Sequence, residues 1–162
     1  MRRALSVVAL MALPIAAVSV GWTGVAGAST RVATATTGVA CSKISGGIGG
    51  TTGKLSGCSD SANTGGSGTF PIAALTGGSG SITWHGTVGT TALSGVTATA
   101  TTTNKCPTGD TEYEVSGKVS GGTGKSLKSI KKGWTLQAFV CVTASGNFSL
   151  LKGQKVNIGP KF

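Results

Sequence analysis

Hydrophobic and polar residues alternate with a period of two in three stretches of this chain, the pattern of half-buried β-strands. In SITWHGTV (81–88), Ile82, Trp84 and Val88 fall on one face, and Thr83, His85 and Thr87 on the other. In TEYEVSGKV (111–119), Tyr113, Val115 and Val119 alternate with Glu112, Glu114, Ser116 and Lys118. In TLQAFVCV (135–142), Leu136, Ala138, Val140 and Val142 share a face, with Phe139 and Cys141 opposite. Weaker strands are predicted in GKLSGC (53–58), GTFPIAAL (68–75), GVTATATTT (95–103) and FSLLKGQKVNI (148–158). The Thr-rich run has strand propensity but little to bury, which fits an edge or outer strand. Pro71 lacks an N–H for a ladder, which places its segment at an edge or a bulge. Only GKSLKSIKKGW (124–134) hints at a helix, with Leu127 and Ile130 three apart, and it is too short to stand alone. TTGKLSGC (51–58) and TTALSGV (90–96) echo one another, which we read as recurring turn chemistry rather than a repeat. Short strands separated by turn signals predict an all-β fold, an antiparallel β-sandwich or flattened barrel of about 7–9 strands.

The N-terminus reads differently. Arg2 and Arg3 precede an apolar run from Ala4 to Val20, and Ala26-Gly27-Ala28 follows as a small-x-small cleavage site. This order predicts a signal peptide over 1–28. The apolar run is near the minimum for a bilayer span, and Pro14 interrupts it, so a retained anchor is the weaker reading. Residues 29–40 (STRVATATTGVA) read as a flexible arm and 41–162 as a single domain. With 28 glycines and few large aromatics in 162 residues, the chain cannot fill a wide core. Its four cysteines, Cys41, Cys58, Cys106 and Cys141, form an even set that export would oxidise to two disulfides. Three pairings are possible, and the short loops favour Cys41–Cys58 and Cys106–Cys141. A zinc site lacks any Cys-x-x-Cys pair, and the sole histidine, His85, is distant from every cysteine in sequence.

Two glycine-rich loops imitate a phosphate cradle and fail on spacing. In VSGGTGKS (119–126), Val119 stands where the first glycine belongs. In GGIGGTTGKL (46–55), Ile48 takes that place, and Leu55 replaces the magnesium-binding hydroxyl. Catalytic groups are sparse beyond the leader: Asp60, Asp110, Glu112, Glu114 and His85. Glu112 and Glu114 read as a solvated strand face, and Asp60 as a turn former. His85 lacks a nucleophile-elbow serine. No catalytic residue, metal site or cofactor is assigned.

Charge is the informative property. The chain carries a formal net charge of +10, and no acidic residue follows Glu114 while eight lysines do. Lys125, Lys128, Lys131 and Lys132, with Trp134 beside them, form the candidate polyanion-binding site. Lysine without arginine gives diffuse attraction rather than bidentate recognition. Missing arginines and stacking aromatics argue against a specific nucleic-acid partner. Lysines that merely keep strand edges from pairing are the plainer reading.

LSGC (55–58), TGGSGTF (64–70) and GSITWHGTVGTT (80–91) resemble small exported actinobacterial proteins of unknown function. That resemblance implies secretion and an all-β fold, and it offers no catalytic residues. The expected protein is extracellular or wall-associated and non-enzymatic, with no membrane contact after cleavage. It would bind an anionic wall polymer or glycan through its Lys-rich half. The alternative is a small secreted hydrolase or inhibitor acting through its loops.

Overall fold

A computed structural model describes residues 38–161. The expected signal peptide, and the expected arm as far as residue 37, lie outside the described residues. The stretches 111–119 and 135–142 become strands, and 81–88 does so as far as Trp84, with 85–88 forming a turn. The order is β1 (Val39–Gly47), β2 (Thr52–Cys58), α1 (Ser61–Thr64), β3 (Ser67–Pro71), α2 (Ala74–Gly77) and β4 (Ser79–Trp84). Next come β5 (Gly89–Ala100), β6 (Thr111–Gly124), a 3₁₀ turn (Lys125–Lys128), β7 (Thr135–Val142), β8 (Asn147–Leu150) and β9 (Val156–Gly159). Strand β1 thus takes in Val39 and Ala40, the end of the expected arm, and Val39 is fully buried.

From β1 to β8 every strand pairs antiparallel with its successor. Strands β8 and β9 both lie between β7 and β1. Strand β9 pairs Ile158 with Leu136 and Val39, and β8 pairs Ser149 with Cys141 and Ser45. They are two pieces of one stave, split by residues 151–155. The result is a closed antiparallel barrel of eight staves, running up and down around the ring. Closure removes most sheet edges, and a narrow barrel needs only one layer of modest side chains to fill it. That suits a chain poor in aromatics.

Two glycines bend the wall. Gly57 in β2 and Gly95 in β5 have φ of 60° and 58°, the left-handed region that side chains disfavour. The β5–β6 register shifts between Ser94 and Thr97, a bulge of the kind that tightens strand twist. A Cβ at Gly57 would collide with the Ser42 hydroxyl.

One end of the barrel is plugged. Ile82, Trp84, Val119 and Ile158 are buried there with Ile130, which is 1% exposed. The Trp84 indole N–H donates to Thr91 Oγ1 at 2.8 Å. The segment expected to hint at a helix makes only the single 3₁₀ turn. Its two apolar residues part company: Ile130 is buried in the barrel core and Leu127 stays exposed. Ser126 anchors the turn by donating to the carbonyls of Thr90 (3.0 Å) and Thr123 (2.8 Å). Disulfides join Cys41 to Cys58 and Cys106 to Cys141, a chemistry of oxidising compartments. No helix among the described residues is long and apolar enough to cross a membrane.

Candidate functional site

Antiparallel order sorts the connections between the two ends. The turns 48–51, 72–78, 101–110 and 143–146 all fall at the end opposite the plug. There the barrel opens into a cup of about 570 Å³. Strand alternation supplies its walls, with Ile44 on β1, Val96 and Ala98 on β5, Val115 on β6, Val140 on β7 and Phe148 on β8. Tyr113 and Val142 stand nearer the mouth, and Ile72, Leu75 and Thr76 form one side of it. Ile48, 59% exposed, sits on the rim between two pairs of glycines. Among the described residues that line the cup, none is charged. Beneath it lies a void of about 30 Å³, which shares Ile44, Leu75, Val96 and Val115 with the cup. Its volume matches a single water, but its apolar walls offer too few hydrogen bonds to hold one.

The cup stays open because of where the longest connection at this end goes. Residues 101–110 fold back over the outside of β6 and β7, held by the Cys106–Cys141 disulfide. Under this flap lies a second small apolar cluster of Phe139, Cys141 and Leu151. Glu112 corrects its expected role. It faces outward, but the flap covers it and leaves it 2% exposed, with Oε2 accepting the Lys105 N–H at 2.8 Å. Glu114 is half-buried and accepts from Gln137 Nε2 at 2.8 Å. The pair is structural wall, not a solvated acidic face.

The predicted lysine site lies at the plugged end. Lys125, Lys128, Lys131 and Lys132 are all exposed, and Lys131 Nζ donates to the Leu127 carbonyl at 2.9 Å. Trp134 does not join them as an exposed platform; it is half-buried and packs on the core. The fold also brings in an acid that sequence order hid. Asp60, the one non-glycine residue with positive φ among those described (55°), accepts from Ser129 and, at 3.1 Å, from Asn63. The Ser129 bond, then the Asn63 bond, hold its carboxyl below the usual carboxylate range. A depressed folded-state pKa stabilises the fold above the unfolded value, and that contribution is lost as pH falls through the folded one. Ser129→Ala is expected to move the Asp60 titration back up, as read by carboxyl-carbon NMR. An unmoved titration would assign the shift to Asn63 alone.

His85 gains no catalytic partner. It is exposed in the 85–88 turn at the plugged end, Asp110 is at the open end, and Asp60 is engaged with Ser129 and Asn63. Among the described residues, no group of three or more His, Cys, Asp or Glu side chains is placed to hold a metal. Sequence reasoning missed the cup altogether. Its residues appear in the strand pattern as ordinary inward positions, with no signal that their end of the barrel is left unfilled. No protein-family model, curated protein or solved structure matches this chain.

Proposed function

We propose that this is an exported, non-enzymatic binding protein that holds a small apolar molecule in the open end of its barrel. The observation that carries the reading is the cup itself: about 570 Å³, plugged below and free of charged residues among those described. That volume falls within the ~300–1,000 Å³ typical of small-molecule sites, and eight staves leave room for one small ligand. The Arg2-Arg3 leader pattern, the resemblance to exported actinobacterial proteins and the two disulfides support export. Nile red, a neutral dye that brightens in apolar surroundings, is expected to bind saturably. Ala98→Trp, an exposed position on the cup wall, is expected to abolish that binding without lowering the melting temperature. Undiminished dye binding in this variant would move the ligand elsewhere.

The lysine end supports a second, compatible activity. Four exposed lysines lie in the single connection 125–134 at the end opposite the mouth, which favours docking on an anionic wall polymer or glycan. Such attraction is diffuse and falls with salt. Changing Lys125, Lys128, Lys131 and Lys132 together to Gln is expected to abolish retention on cell-wall material. Retention equal to that of the unmodified protein, or surviving molar salt, would leave these lysines a solubilising fringe. A hydrolase reading finds less support, since His85 and Asp110 stand at opposite ends.

A further inference from the structure

One wall of the cup is incomplete. Strand β4 begins at Ser79, opposite Ser94, and the last bond on that side runs from Val96 N–H to the Gly78 carbonyl at 2.9 Å. Beyond it, Thr97–Ala100 continue paired to β6 alone. The Thr97 hydroxyl meets Ser116 Oγ at 3.0 Å on the outer face, and alternation sends the Thr99 side chain the same way. The Val96 N–H bonds the Gly78 carbonyl and the Thr101 N–H bonds the Glu112 carbonyl, so alternation turns the N–H and C=O of Thr97 and Thr99 toward β6 and those of Ala98 and Ala100 toward the open side. The mouth therefore carries a short open strand edge, with Leu75 and Thr76 across from it. Along such an edge alternate residues direct both N–H and C=O away from their paired strand.

These groups sit beside an apolar cavity, which sets a condition on its occupant. A ligand that covers the edge must replace the hydrogen bonds the edge makes with water, and each bond left unmade costs about tenfold or more in affinity. A charged head would find no counter-charge among the described lining residues. The branched aliphatic side chains of Ile44, Val96, Val115 and Val140 suit a flexible hydrocarbon chain.

We propose that the cup selects an uncharged aliphatic amphiphile, its chain against the aliphatic walls and its amide or hydroxyl head on the Thr97–Ala100 edge. This rests on the cup being the ligand site. The test is displacement of Nile red from the full chain by octanamide, octan-1-ol, octanoate well above its pKa, and octane. Octanamide and octan-1-ol are expected to compete about tenfold better than octanoate or octane. Main-chain amide NMR signals of Ala98 and Ala100 are expected to move with octanamide and not with octane. If octane competes as well as octanamide, the head-group assignment is overturned while the cup remains the site. Octanoate competing as well as octan-1-ol would overturn selection against charge. Absence of saturable dye binding would remove both the cup reading and this one.

Discussion

Replacing Trp84 with alanine is expected to lower the unfolding free energy by about 3–5 kcal/mol, the range for large core aromatics. The ring is 1% exposed among the innermost residues of the plugged end. Its register partner on β3 is Gly68, where a Cβ would come within 3.0 Å of the indole and 2.9 Å of Ile82. The wall is thus shaped around this one side chain, and little nearby is free to refill the space. Truncation also strands the Thr91 oxygen, which is buried and accepts the indole N–H. Trp84→Phe separates the two contributions. It keeps most of the packing and removes the donor, so a smaller loss of about 1–3 kcal/mol is expected. Urea unfolding of both variants provides the measurement. An unchanged midpoint in Trp84→Ala would show that the ring is not a core element.

Reduction of the disulfides is the second large effect. Their sequence separations are 17 and 35 residues. Loop-entropy reasoning gives about 3 kcal/mol for Cys41–Cys58 and about 4 kcal/mol for Cys106–Cys141. The sum is comparable to the whole stability of many domains of this size, so the reduced protein is expected to melt far lower or not to fold. The two bonds differ in what they release. Cys41 and Cys58 are adjacent partners on β1 and β2, buried beside the plug. Loss of Cys106–Cys141 frees the outer flap and exposes Glu112, so hydrogen exchange at the Lys105 amide should rise first. Melting with and without reductant, with non-reducing peptide mapping, checks both. Equal melting temperatures in the two conditions would contradict the expectation.

Much of the barrel wall was legible in the chain. The faces assigned to Tyr113–Val119 and Leu136–Val142 hold, as do those of Ile82 and Trp84, because the backbone alternates regularly through those residues, while Val88 falls in the turn after β4. Strands β2 and β5 were faint for a physical reason. Each carries Leu-Ser-Gly with the glycine at positive φ, which breaks the period of two at that point. The echo read as turn chemistry is the same Leu-Ser-Gly phrase, its glycine at positive φ, used twice within strands. Residues 148–158 looked like one weak strand and are one stave in two pieces, since 151–155 leave the wall and return. Glu112 was misread because its cover, the 101–110 flap, comes from a connection whose path no local pattern reveals. The same holds for the cup: Val115 read as an ordinary apolar face position and Ala98 as part of an edge or outer strand with little to bury, and only the course of that flap leaves their end uncovered.

The split stave also governs how the barrel comes into being. Each strand from β2 to β8 finds its predecessor nearby in the chain, so seven staves can zip up by local contacts. Closure is of another kind, because Val39 meets Ile158 from almost the far end of the described chain. The entropy of joining such distant segments is unfavourable until many contacts form together. Until residues 147–159 are made, a chain synthesised from its N-terminus has only the seven strands β1–β7 to pair, as an open sheet. Its two margins, β1 and β7, present unpaired backbone N–H and C=O groups to another molecule. Among the described residues, Asn147–Gly159 are the ones that seal that sheet. A chain that stops short of them would keep the margins and the tendency to aggregate, and it would never enclose a cup.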